Sequence, residues 1–177
     1  EKAVRVERSG LSAAVDVDQS TSAVSSEIRG RPTGKPQREL AVAETLRAKL
    51  NASGADWGGA ILGDDARGED AVLVSESDPG TKLLIQVTMV DGQKWAEAAR
   101  GRAAATVSFD DLADQVLASI QRHSNMVTAG LTLALDATNG DAHGLMPVAT
   151  SFRERHTEAA RALGCQSIWL VGIDDAH

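Results

Sequence analysis

The chain has 177 residues, of which 42% are hydrophobic, and a formal net charge of −7. That length suits one domain with an ordinary core, and the negative balance argues against a protein that coats nucleic acid by neutralising phosphates. No apolar run approaches the roughly 18 residues of a membrane span, and the single Cys165 excludes an internal disulfide or a multi-cysteine metal site. Glu1 opens the sequence with no methionine and no basic, apolar signal segment behind it, so secretion is not expected and a cytoplasmic location is.

Residues 9–26 are rich in Ser, Ala, Asp and Thr, with alternation enough for one strand at most, at 13–17. Then comes Arg29-Gly30-Arg31-Pro32-Thr33-Gly34-Lys35-Pro36, a basic Pro/Gly stretch. By composition residues 1–36 form an arm or linker ahead of a domain at 37–177. From Pro36 the pattern turns regular. Helical spacing of Glu39, Ala43, Leu46 and Leu50 predicts a helix over 37–51, with Pro36 just ahead of its first turn. Short strands are expected at 57–62 and 70–76, separated by Gly63-Asp64-Asp65-Ala66-Arg67-Gly68. Asp78-Pro79-Gly80 turns the chain into a strand over 82–90.

Beyond it lie a loop with a short helix at 94–100 and a capping-box pattern, Ser108 with Asp111. The helix so opened carries Phe109, Leu112, Ala113, Val116, Leu117 and Ile120 on one face. A buried strand is expected at 131–135, then a helix opened by Ser151 and Glu154 and closed by Gly164, and a last buried strand at 167–171.

The strand at 82–90 carries the most chemistry. Gln86 and Thr88 interrupt an apolar run two residues apart, so both project from one face of the strand. Two polar groups side by side in a buried strand are costly unless something satisfies them.

The order αβββαβ, with an added helix and strand, predicts an α/β fold whose mixed central sheet is flanked by helices on both faces. With the polar pair on its third strand, this order resembles the PD-(D/E)XK nuclease superfamily, and the expected fold is therefore restriction endonuclease-like. The resemblance covers residues 37 to 136, with 151–171 as an extension. It implies Glu39 from the first helix, Asp70 from the second strand, and Gln86 with Thr88 from the third, where the family carries Glu-x-Lys or Gln-x-Lys. It further implies metal-dependent hydrolysis of DNA phosphodiesters by an endonuclease of restriction, defence or repair type. The partner is then DNA, with room for a homodimer and for a longer multi-domain parent.

Such hydrolysis calls for a hard cation, Mg²⁺ or alternatively Mn²⁺, with near-octahedral oxygen ligands and retained waters. Asp70 would give a carboxylate, Gln86 its amide oxygen and Val87 its main-chain carbonyl, while the ion activates a bound water. Glu39 is preferred to Glu44, which lies about 140° around the helix from it. Thr88 departs from the pattern by bringing a hydroxyl where the family has a lysine, and loss of one stabilising donor costs about 10²–10³ in rate. Lys94, in the next loop, is the expected substitute, because Lys82 lies about 13 Å along the strand from Gln86. The nuclease-like reading depends on the Asp70 carboxylate and the Gln86 amide sharing one side of the sheet and converging with Glu39.

The basic stretch 29–36 also resembles an AT-hook, an extended Arg-Gly-Arg-Pro core for the minor groove of A/T-rich DNA, with Arg29, Arg31 and Lys35 as its contacts. Plainer readings stand beside these. Gln86 and Thr88 suit a partly exposed edge strand, Asp70 a turn, Glu39 the dipole of a first helical turn, and the basic stretch a solvated linker. Asp136 ends a buried strand, where Asp commonly begins a turn. His123, His143, His156 and His177 lack paired metal spacing, and no phosphate loop, Gly-x-Ser-x-Gly or dinucleotide fingerprint is present. Two further functions follow: a degenerate nuclease-like module that binds DNA or protein, and an unrelated α/β domain whose polar pair is structural.

Overall fold

The computed structural model of the chain describes residues 11–15, 23–24, 34–90, 107–122, 130–137 and 145–172. In chain order these form β1 (Leu11–Val15), β2 (Ala23–Val24), α1 (Lys35–Ala52), β3 (Ile61–Leu62), β4 (Ala71–Val74), β5 (Lys82–Met89), α2 (Phe109–Arg122), β6 (Thr132–Asp136), α3 (Leu145–Arg161) and β7 (Ser167–Gly172). The strands make one sheet in the order β2-β1-β7-β6-β5-β4-β3. Strands β3, β4 and β5 meander antiparallel, whereas β5, β6 and β7 are parallel and joined through α2 and α3. This is the α/β architecture with a mixed sheet that the element order predicts.

Alternation along the strands sorts their side chains onto two helix-covered faces. Ala71, Leu73, Leu83, Ile85, Ala134 and Val171 pack under Val42, Ala43 and Leu46 of α1. On the opposite face Leu133, Leu135, Ile168 and Leu170 meet Leu112, Val116 and Ile120 of α2 and Val148 and Phe152 of α3. Each fully buried leucine or isoleucine contributes about 2 kcal/mol by leaving water, so the α1 layer holds the meander firmly to the parallel strands.

Four expectations change. The segment before residue 36 is not wholly an arm, because β1 pairs antiparallel with β7, Leu11 opposite Gly172 through Val15 opposite Ile168, and β2 pairs with β1. The strand expected at 57–62 shrinks to two residues and an isolated Trp57–Ser75 bridge. Side chains of α1 take the backbone groups a ladder would use: Asn51 brackets Trp57 with two 2.8 Å hydrogen bonds, and Glu44 accepts from the Ala60 N–H. Helix α3 begins six residues before Ser151, whose buried hydroxyl instead donates to Asp110 on α2. Phe109, expected on the buried face of α2, is half exposed at the helix start. The capping box is present, with the Ser108 Oγ accepting from the Asp111 N–H at 3.1 Å, and Gly164 adopts the left-handed φ of +72° expected of a C-cap.

Candidate active site

Asp70 sits immediately before β4, and its backbone N–H donates to the Ile85 carbonyl at 2.9 Å, beside the Ala71–Ile85 pair. Two residues thus oppose one, the arrangement of a β-bulge, which releases the Asp70 side chain from strict alternation. The turn before it closes tightly. Gly63 N–H donates to the Asp70 carbonyl at 3.1 Å, and a Cβ on Gly63 would stand 2.3 Å from the Glu69 carbonyl oxygen, so only glycine allows this approach. The re-aimed carboxylate accepts the Val87 N–H at 2.7 Å.

Glu39 reaches the same place from the second turn of α1. Its side chain is 10% exposed and that of Asp70 11%, and the two carboxyls are close enough for the charge on Asp70 to act on Glu39. Burial pushes the Asp70 carboxyl up, partly offset by the Val87 N–H. Burial also raises Glu39, opposed by its hydrogen bond to Lys35 and reinforced by the neighbouring Asp70 charge. Lys35, the first residue of α1, lays its Nζ 3.1 Å from Glu39 and 4.0 Å from Asp70. Its pKa is raised, first by the hydrogen bond to Glu39, so it is a cation at neutral pH.

Gln86 and Thr88 do not join this group. Ile85 and Val87 belong to the α1 layer, so the residues that alternate with them face α2 and α3 instead. Gln86 stands beside Leu133 and Thr88 beside Leu135 on β6, and both are buried. The expected convergence is therefore corrected: Glu39 and Asp70 meet, while Gln86 and Thr88 lie behind the sheet. Gln86 leaves the metal-ligand set, and Thr88 leaves the lysine position. Val87 meets the pair through its main-chain N–H, which donates to Asp70. Glu44 is engaged with Arg47 and Ala60.

Two residues gain importance. Asp136 ends β6 with 2% exposure and pairs with Arg38 of α1, one residue before Glu39. Both acidic positions thus occupy the α1 face near the carboxyl ends of the parallel strands, where open α/β sheets commonly place sites. Lys35, expected in a DNA-contacting arm, instead opens α1 over the carboxyl pair. The sequence signal for it was the i, i+4 spacing from Glu39. Lys94, Arg29 and Arg31 lie outside the described residues.

Among the described residues no three His, Cys, Asp or Glu side chains form a group able to hold a metal ion. The donor set is the two carboxylates of Glu39 and Asp70. Hard anionic oxygens of this kind suit Mg²⁺, which keeps several waters and needs few protein ligands. No helix among the described residues is long and apolar enough to cross a membrane. No family model matches the chain, and neither the curated proteins nor the solved structures give a match.

Proposed function

We propose that the domain hydrolyses DNA phosphodiesters with the help of a divalent cation held at Glu39 and Asp70, as a cytoplasmic endonuclease of restriction, defence or repair type. With Gln86 and Thr88 behind the sheet, the condition set by the restriction endonuclease-like pattern is not met, and the reading rests on the acid pair alone. One observation carries the reading: two carboxyls, each nine-tenths buried, are pressed together under a single lysine. Two adjacent buried acids are costly, and a divalent cation is the partner that offsets both charges at once.

Glu39 and Asp70 would hold Mg²⁺ or Mn²⁺. Such an ion supplies Lewis acidity at phosphate and a water acidified enough to attack it. The chain's own residues do the rest. The Val87 N–H fixes the Asp70 carboxylate, the Gly63 turn sets its height above β5, and the α1 layer keeps bulk water from beneath the pair.

A second reading rests on its own observation. Strand β5 turns apolar Ile85 and Val87 toward the acid pair and sends Gln86 and Thr88 away, which favours a nuclease-like domain that binds DNA or protein without cutting. Incubating supercoiled and linear DNA with Mg²⁺ or Mn²⁺, beside an Asp70→Ala control, separates the two. Cleavage lost in Asp70→Ala supports hydrolysis; cleavage equal in both proteins removes it.

A further inference from the structure

We infer that Lys35 is the lysine of this centre, delivered by the first turn of α1 in place of one on β5. The inference rests on the phosphodiesterase reading above and names the residue that completes it.

Three observations converge on Lys35. Its Nζ reaches both members of the acid pair, at 3.1 Å and 4.0 Å, so it stands where a phosphate held over that pair would lie. Its side chain is 75% exposed, so the ammonium is open to a substrate while Glu39 and Asp70 are enclosed beneath it. Pro36 follows within the first helical turn and Gly34 caps it in an extended conformation, which fixes how the Lys35 backbone enters the helix. Strand β5, by contrast, packs apolar Leu83, Ile85 and Val87 on this face. Lys82, the other lysine nearby in sequence, is exposed at the far end of β5, opposite Val74.

The role follows from charge and reach. In hydrolysis a water oxygen bonds to phosphorus, one bridging P–O bond breaks, the water's proton passes to solvent, and the departing oxygen takes a proton from solvent. Negative charge grows on the non-bridging oxygens as this happens. A fixed ammonium beside them stabilises that charge and orients the incoming water, and removal of one such donor slows catalysis by about 10²–10³. In the resting protein the same ammonium neutralises the acid pair, so Lys35 and the cation act on the same two carboxylates.

The experiment compares wild type, Asp70→Ala, Lys35→Ala and Lys35→Arg, each confirmed folded by circular dichroism. It reads Mn²⁺ binding by calorimetry and plasmid cleavage separately. Expected are Mn²⁺ binding in Lys35→Ala equal to or tighter than wild type, cleavage about 100-fold slower, and partial recovery in Lys35→Arg. A lysine serving only as a helical ion pair would leave cleavage at the wild-type rate, which overturns the inference while Asp70→Ala still fails to cut. If wild type and Asp70→Ala cut alike, or neither cuts nor binds Mn²⁺, the phosphodiesterase reading falls and the inference with it.

Discussion

The Asp70 carboxylate accepts the backbone N–H of Val87 at 2.7 Å, and this bond ties the start of β4 to the carboxyl half of β5 across a bulge. It turns the acid toward α1 and Glu39, away from the side of the sheet where Gln86 lies. Everything proposed for the site follows from that choice of side.

The acid pair makes a pH-dependent stability prediction. Burial raises both carboxyls above their ordinary values, so in the native state they bind protons more tightly than in the unfolded chain. Stability from this pair is therefore lower at neutral pH and improves as pH falls through the raised native values. Asp70→Asn and Glu39→Gln should raise the Tm at pH 7, and that gain should shrink toward zero near pH 4. Thermal melts across this range check it; a gain that grows on acidification would contradict it.

Added metal should act on the same pair. Millimolar Mn²⁺ or Mg²⁺ is expected to raise the Tm of wild type by mass action, reaching about 2.7 kcal/mol of stabilisation at a concentration 100 times the Kd. Asp70→Ala should show no such shift. Differential scanning fluorimetry with chelator controls reads both.

Thr88→Lys is expected to fail as a repair of the family pattern. Thr88 is buried on the α2 and α3 side, so a lysine there would place an unpaired charge among Leu133, Leu135 and their neighbours. The substitution should cost about 3 kcal/mol of stability without raising cleavage. Urea denaturation beside the plasmid assay tests it, and a faster enzyme with unchanged stability would return Thr88 to the site.

The Arg38–Asp136 pair links α1 to the end of β6, with Asp136 almost wholly buried. Arg38→Ala should destabilise by about 3 kcal/mol, because the buried Asp136 carboxylate loses its guanidinium partner. Adding Asp136→Asn should recover a substantial part of that loss. A double mutant no more stable than Arg38→Ala would show that the pair is not coupled.

The minor-groove hook now depends on Arg29 and Arg31, since Lys35 is held over Glu39. Replacing both arginines by alanine should weaken binding to A/T-rich duplexes more than to G/C-rich ones and make the salt dependence shallower. Equal losses on the two duplexes would reduce the segment to a basic linker. Fluorescence anisotropy at several salt concentrations distinguishes these outcomes.

The sequence by itself determined the order of the elements from α1 to β7 and the two helix-covered layers, and it named Glu39 and Asp70 as partners. Helical spacing brought Glu39 onto the stripe of Ala43 and Leu46, and the apolar runs marked β4 and β5 as buried, because periodicity reports directly on which residues leave water. Only the tertiary structure decided which face of β5 meets α1. Alternation puts Gln86 and Thr88 together but is symmetric between the two sides of a sheet covered on both, so the side is set by packing against Val42, Ala43 and Leu46. The bulge at Asp70 was equally hidden, since it arises from a pairing across seventeen residues and the close approach of Gly63, not from any local propensity. Likewise β1 reads as a brief alternation in a polar arm, and only pairing with β7 makes it part of the sheet.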